Sequence, residues 1–127
     1  MKNLFLIFLG SGIGGILRYG LGKYIQSLYL FSFPFSTFVV NIFACLLLGF
    51  VVYIVQQKNS FSTELNYLLL IGFCGGFSTF STFSYEILQL LKTEKYIIAF
   101  LYIFLSIFIA VLSILVGVFL AKYFFNR

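Results

Sequence analysis

Four runs of mostly apolar residues follow one another along this chain, separated by connections too short to hold a domain. They cover about Leu4–Leu21, Phe35–Val55, Leu65–Leu91 and Ile97–Phe119. A membrane-crossing helix needs about 20 such residues. The connections are Gly22–Pro34, Gln56–Glu64 and Lys92–Tyr96. Charged residues make up 9% of the chain and hydrophobic ones 62%, whereas a soluble domain carries about 25% charged residues. No soluble fold of 127 residues hides that much apolar surface. The expected fold class is therefore all-α integral membrane, with four transmembrane helices in one domain over residues 1–127. Pro34, the only proline, suits the first turn of the second span. Met-Lys-Asn followed by Leu4 to Leu9 superficially resembles a signal peptide. It lacks an Ala-x-Ala-like cleavage site and three further apolar runs follow, so it is expected to stay as the first span.

The same composition excludes several functions. The net charge is +5, but the basic residues stand singly at span ends. There they reach toward headgroups, and no basic run marks a nucleic-acid surface. Cys45 and Cys74 lie in apolar surroundings without a partner spacing, and histidine is absent. They read as small packing residues, not as a metal site or a disulfide. No nucleophile–base constellation is present, so an enzyme is not expected.

Charge by side is balanced. Lys2, Lys58, Lys122 and Arg127 share one side; Lys23, Lys92 and Lys95 share the other, joined by Arg18 if it reaches the surface. The positive-inside rule then sets almost no orientation. Insertion in both orientations and an antiparallel, dual-topology dimer are expected. A lone four-helix chain has little interior, which also points to an oligomer.

Polar residues within the spans carry the functional content. Gly10 and Gly14 form a GxxxG pair that lets helices approach closely. Arg18 is either a snorkelling anchor or an attractor for anions at a pore mouth. Thr37 and Asn41 lie one helical turn apart on one face; Asn41 is either interhelical glue or a pore-lining amide.

Residues 72–86 are the least lipid-like stretch: Gly-Phe-Cys-Gly-Gly-Phe-Ser-Thr-Phe-Ser-Thr-Phe-Ser-Tyr-Glu. Gly72, Gly75 and Gly76 each cost about 1 kcal/mol relative to alanine in a helix interior, so the third span is expected to break near its middle, at these glycines. A break exposes backbone carbonyls that can bind a small cation. Past it, a helical register puts Ser78, Ser81 or Thr82, and Tyr85 on one stripe. Phe77, Phe80 and Phe83 recur at spacing three. Hydroxyl donors and the positive edges of phenyl rings suit a dehydrated anion; the bland alternative is aromatic packing with hydroxyls bonded back to the helix. Glu86 is the only acid within a span, open to pairing, to a place at the mouth or to proton handling.

The run Gly72–Ser84 resembles the signature of the Fluc-type (CrcB) fluoride channels. Gly14-Gly15-Ile16-Leu17-Arg18-Tyr19 is similar to that family's first-span motif, and Thr37-Phe38-Val39-Val40-Asn41 to its second. The match covers all four spans in order. The resemblance implies antiparallel dimers with two fluoride pathways, a structural sodium ion at the dimer centre, and passive export of fluoride across the cell membrane. It implies sodium-binding carbonyls at Gly75 and Ser78, and pathway phenylalanines at Phe80 and Phe83. It places Asn41 in the pore and Thr37, Ser81, Thr82 and Glu86 on or near a polar track. Arg18 takes the place of a vestibule arginine. Ser106 is a plausible fourth-span hydroxyl. Ser36 stands where the family often has glycine, and Ala110 where some members carry another small or polar residue. The partners implied are fluoride, sodium, membrane lipid and either a second copy or a paralogous subunit.

Two rival functions stay open at this point. A proton-coupled small multidrug exporter would need a titratable acid on its path, and Glu86 is the only candidate. A non-conducting assembly or partner subunit would need no pathway at all.

Overall fold

A computed structural model describes residues 1–28, 33–57 and 63–125. All regular structure among them is helical. Helix α1 runs Lys2–Leu28 and α2 runs Phe35–Gln57. The third span is composite: α3 (Thr63–Leu65), a π-helical stretch (Asn66–Cys74), α4 (Gly75–Phe77) and, after an interruption, α5 (Phe80–Lys92). Helix α6 runs Tyr96–Phe125. Four segments are long and apolar enough to cross a membrane: Lys2–Leu28, Phe35–Gln56, Thr63–Lys92 and Tyr96–Phe125. This is the architecture of a multi-pass membrane protein. The helices of the first and fourth spans outrun the expected ends at Leu21 and Phe119, because hydropathy marks the lipid-soluble part while a helix continues into the headgroup region. Lys58 and Arg127, counted in the charge balance, lie outside the described residues.

Packing depends on small residues. Helix α1 lies against the first half of the third span, and α2 lies against α6. A Cβ at Gly10 would run into the Leu68 carbonyl, and one at Gly14 into the Phe73 carbonyl. Across the second pair, Gly49 meets the backbone of Ile114 and Gly117 that of Leu46. In lipid, where apolar burial gives helices no preference for each other, such backbone proximity is the main attraction.

The interruption lies after the expected position. Gly75 is helical (φ −65°, ψ −37°), and among the described residues no glycine has positive φ. The chain leaves the helix at Ser78 (φ −82°, ψ 158°) and Thr79 (φ −146°, ψ 115°). Gly72 and Gly76 serve close approach to α1: a Cβ at Gly76 would crowd the Ser11 backbone, and Ser11 Oγ donates to the Gly72 carbonyl at 3.3 Å. The break falls where side chains can take over the freed backbone groups. Thr79 N-caps α5, its Oγ1 accepting from Thr82 N–H at 3.2 Å.

Two small buried clusters form the core. Ile25, Val40, Ala44 and Phe77 make one; Phe83, Leu90, Ala99 and Tyr102 make the other. The expected Phe77–Phe80–Phe83 stripe is thereby divided. The interruption sends Phe77 to the first cluster and Phe83 to the second, and leaves Phe80 80% exposed. A close turn joins α5 to α6. Glu94 has φ 57°, with Glu94 N–H donating to Leu91 O at 3.1 Å and Lys95 N–H to Leu90 O at 2.9 Å. At the opposite end Lys2 and Glu64 form an exposed ion pair, which contributes little to stability.

Candidate functional site

The polar residues gather around the interruption. An extended Thr79 at membrane depth has an N–H and a C=O that no helix satisfies, and each unsatisfied group costs several kcal/mol. Asn41 on α2 meets both. Its Oδ1 accepts from Thr79 N–H at 2.9 Å and its Nδ2 donates to the Thr79 carbonyl at 3.1 Å. The Thr79 hydroxyl donates to Thr82 Oγ1 at 3.0 Å and lies 3.4 Å from Ser81 Oγ.

One turn further along α5 stands Glu86, half-buried. Thr37 Oγ1 donates to its Oε1 at 2.6 Å and Tyr102 OH donates to its Oε2 at 2.7 Å. The carboxylate is thus gripped from α2 and from α6.

Two cavities flank the interruption. The first, about 360 Å3, is lined by Arg18, Lys23, Ser36, Thr37, Thr79, Thr82 and Glu86 among others. Arg18 is half-buried and its Nε has no hydrogen-bond partner. Lys23 Nζ stands 5.8 Å from the Tyr19 ring centroid. Ser36 Oγ donates to the Gly22 carbonyl at 2.9 Å, tying α1 to α2 at the cavity wall. With two cations against one carboxylate, this cavity favours anions. The second, about 260 Å3, is lined by Asn41, Cys45, Ser78, Thr79, Phe80, Phe83, Ser106, Ile107 and Ala110. Ser106 Oγ is buried there without a partner. The Phe80 and Phe83 rings are 5.8 Å apart and tilted by 41°.

The candidate residues thus fall into two groups. Arg18, Thr37, Thr82 and Glu86 line the first cavity; Asn41, Phe80, Phe83, Ser106 and Ser78 line the second. Thr79 lines both. Gly75 and Ser81 line neither, and both are exposed. Sequence reasoning missed Thr79 and Tyr102. Thr79 is one of several hydroxyls in a repetitive run, and only the backbone angles single it out. Tyr102 is fully buried. Its signal was a phenol in an apolar span, which needs a partner when buried.

Comparison with known proteins decides the family. A profile described as "CrcB-like protein, Camphor Resistance (CrcB)" matches residues 5–118. The chain belongs to the CrcB family. It is 43% identical over 126 residues to a protein of Flavobacterium psychrophilum, covering 96% of this chain and 98% of that one. A protein of Phocaeicola vulgatus is 43% identical, over 96% of this chain and all of its own length (100%). One of Oceanobacillus iheyensis is 43% identical, over 97% and 94%. Each of these three relatives is named a fluoride-specific ion channel, FluC. The CrcB match takes in Arg18, both bonding partners of Glu86 and the whole interruption.

Proposed function

We propose that this CrcB-family chain is a fluoride-selective channel, not an enzyme, and that it lets fluoride leave the cell passively and so lowers fluoride toxicity. The observation that carries this is full-length kinship to fluoride-specific channels, in a chain whose interruption is ringed by small-anion donors. Fluoride is small and strongly hydrated, so selectivity requires many close donors. The hydroxyls of Ser81, Thr82 and Ser106, the second N–H of the Asn41 amide and the ring edges of Phe80 and Phe83 supply them, while Thr37 lines the track with its one proton given to Glu86. Arg18 draws anions to the vestibule. Neither the exporter nor the non-conducting subunit gains support from this kinship.

The chain acts as an antiparallel dimer in the plasma membrane, on this proposal. Phe80 supports it: a ring 80% exposed beside the pathway is left for a second copy to cover. A structural sodium ion is held at the dimer centre by the Gly75 and Ser78 carbonyls of each copy. These residues fit such a site. Both lie exposed at the end of the first half-span, and a Cβ at Gly75 would meet nothing within 4 Å. Bound there, sodium supplies positive charge that offsets the cost of an anion in low dielectric.

The test is efflux from liposomes loaded with potassium fluoride, followed by electrode after valinomycin, beside chloride-loaded controls. Rapid fluoride loss with chloride retained is expected. Equal loss of both anions, or none from folded protein, would remove the proposal for this chain alone.

A further inference from the structure

In a continuous helix each carbonyl accepts from the N–H four residues on. Past the π-helical stretch the four-residue rung is found at Ser78 N–H, which donates to Cys74 O at 3.1 Å. The next rung would join Thr79 N–H to Gly75 O. It is missing because Thr79 N–H donates to Asn41 Oδ1 at 2.9 Å. Three residues on, the rung from Thr82 N–H to Ser78 O is missing as well, because Thr82 N–H donates to Thr79 Oγ1 at 3.2 Å. Every helix end frees its last four carbonyls; at this one they include those of Gly75 and Ser78. These two are the pair assigned to sodium.

We infer that Asn41 and Thr79 are positioning residues of the cation site: their side chains divert the two N–H groups that would otherwise occupy the Gly75 and Ser78 carbonyls. Asn41 does more than stand beside the anion path. Its second bond, from Nδ2 to the Thr79 carbonyl at 3.1 Å, holds Thr79 extended, so the diverted N–H cannot swing back. The inference rests on the sodium site proposed above, and it couples that site to α2, which contributes no carbonyl to it.

The experiment reads sodium binding, not flux. Purified protein is melted in increasing sodium chloride, with N-methylglucamine chloride holding ionic strength constant. The native chain is expected to gain thermal stability as sodium saturates. Partners that orient a metal's ligands are worth about 10–100-fold in affinity, so Asn41→Ala and Thr79→Ala should each raise the sodium midpoint about tenfold or more. Asn41→Asp keeps the acceptor for Thr79 N–H and should retain more of the sodium response than Asn41→Ala. Thr37→Val removes a pathway hydroxyl on the same helix and should leave the midpoint in place. Thr79→Ala changes nothing on α2, so it decides the matter if Asn41→Ala does not fold. Native midpoints in both alanine variants would overturn the inference while sparing the sodium site. A native chain that conducts fluoride but ignores sodium would overturn both.

Discussion

Phe80 and Phe83 line one cavity beside α5 but differ in burial: Phe80 is 80% exposed and Phe83 is 8% exposed. Phe83 also packs on Tyr102, centroids 4.9 Å apart. Replacing either by isoleucine removes ring-edge contacts, so fluoride efflux should fall at least about tenfold in both, a loss of about 1.4 kcal/mol in barrier stabilisation. Stability should separate them. Phe83→Ile changes shape inside a packed cluster and should cost about 1–2 kcal/mol; Phe80→Ile should cost almost nothing in the isolated subunit. Efflux and thermal melting of the same preparations check both halves. Unchanged flux in both variants would count against a ring-lined path.

Among the elements, the turn between α5 and α6 offers a test independent of function. Glu94 adopts φ 57°, a conformation costing a non-glycine residue about 1–2 kcal/mol. Glycine removes that cost but loses more freedom on folding, about 0.4–1 kcal/mol. Glu94→Gly should therefore stabilise the chain by about 0.5–1 kcal/mol, seen as a raised melting temperature with fluoride flux unchanged. At this scale the sequence was only partly legible. Four spans could be read because bilayer thickness imposes a length on apolar runs. A broken third span could also be read, but not where it breaks. Glycine marks both helix interruption and close helix contact, and here Gly72 and Gly76 serve contact with α1 while Thr79 makes the break. Asn41 could be singled out as an unusual amide in a span, and its two bonds to the Thr79 backbone bear out the interhelical-glue alternative, but which backbone it would hold could not be read, because that partner belongs to another span. Tyr102 stayed hidden because its acceptor, the Glu86 side chain, belongs to the preceding span.

The whole molecule is a thin bundle with an uncovered outer face. Phe100, Phe104 and Phe108 stand exposed along α6, and its buried positions are mainly small: Ala99, Ser113, Gly117 and Ala121 beside Tyr102. With basic residues on both sides by sequence, Lys2, Lys58, Lys122 and Arg127 against Lys23, Lys92 and Lys95 with or without Arg18, the positive-inside rule expresses little preference for either orientation. Adding two lysines to the turn at Thr93–Lys95 should bias insertion one way and depress fluoride flux, if antiparallel pairs conduct. Co-expression with a chain biased the other way should restore it. Flux that survives in the singly biased chain would argue against the antiparallel pair.

The interruption at Ser78–Thr79 has a consequence for assembly. Its groups are satisfied by Asn41, which belongs to a different span. A third span entering lipid before α2 has docked would expose those groups to hydrocarbon, where each costs several kcal/mol. That cost favours a continuous helix through Thr79 for as long as Asn41 is absent. The kink and the docking of α2 are thus tied together: the bend in one span is stable only in the presence of an amide from its neighbour.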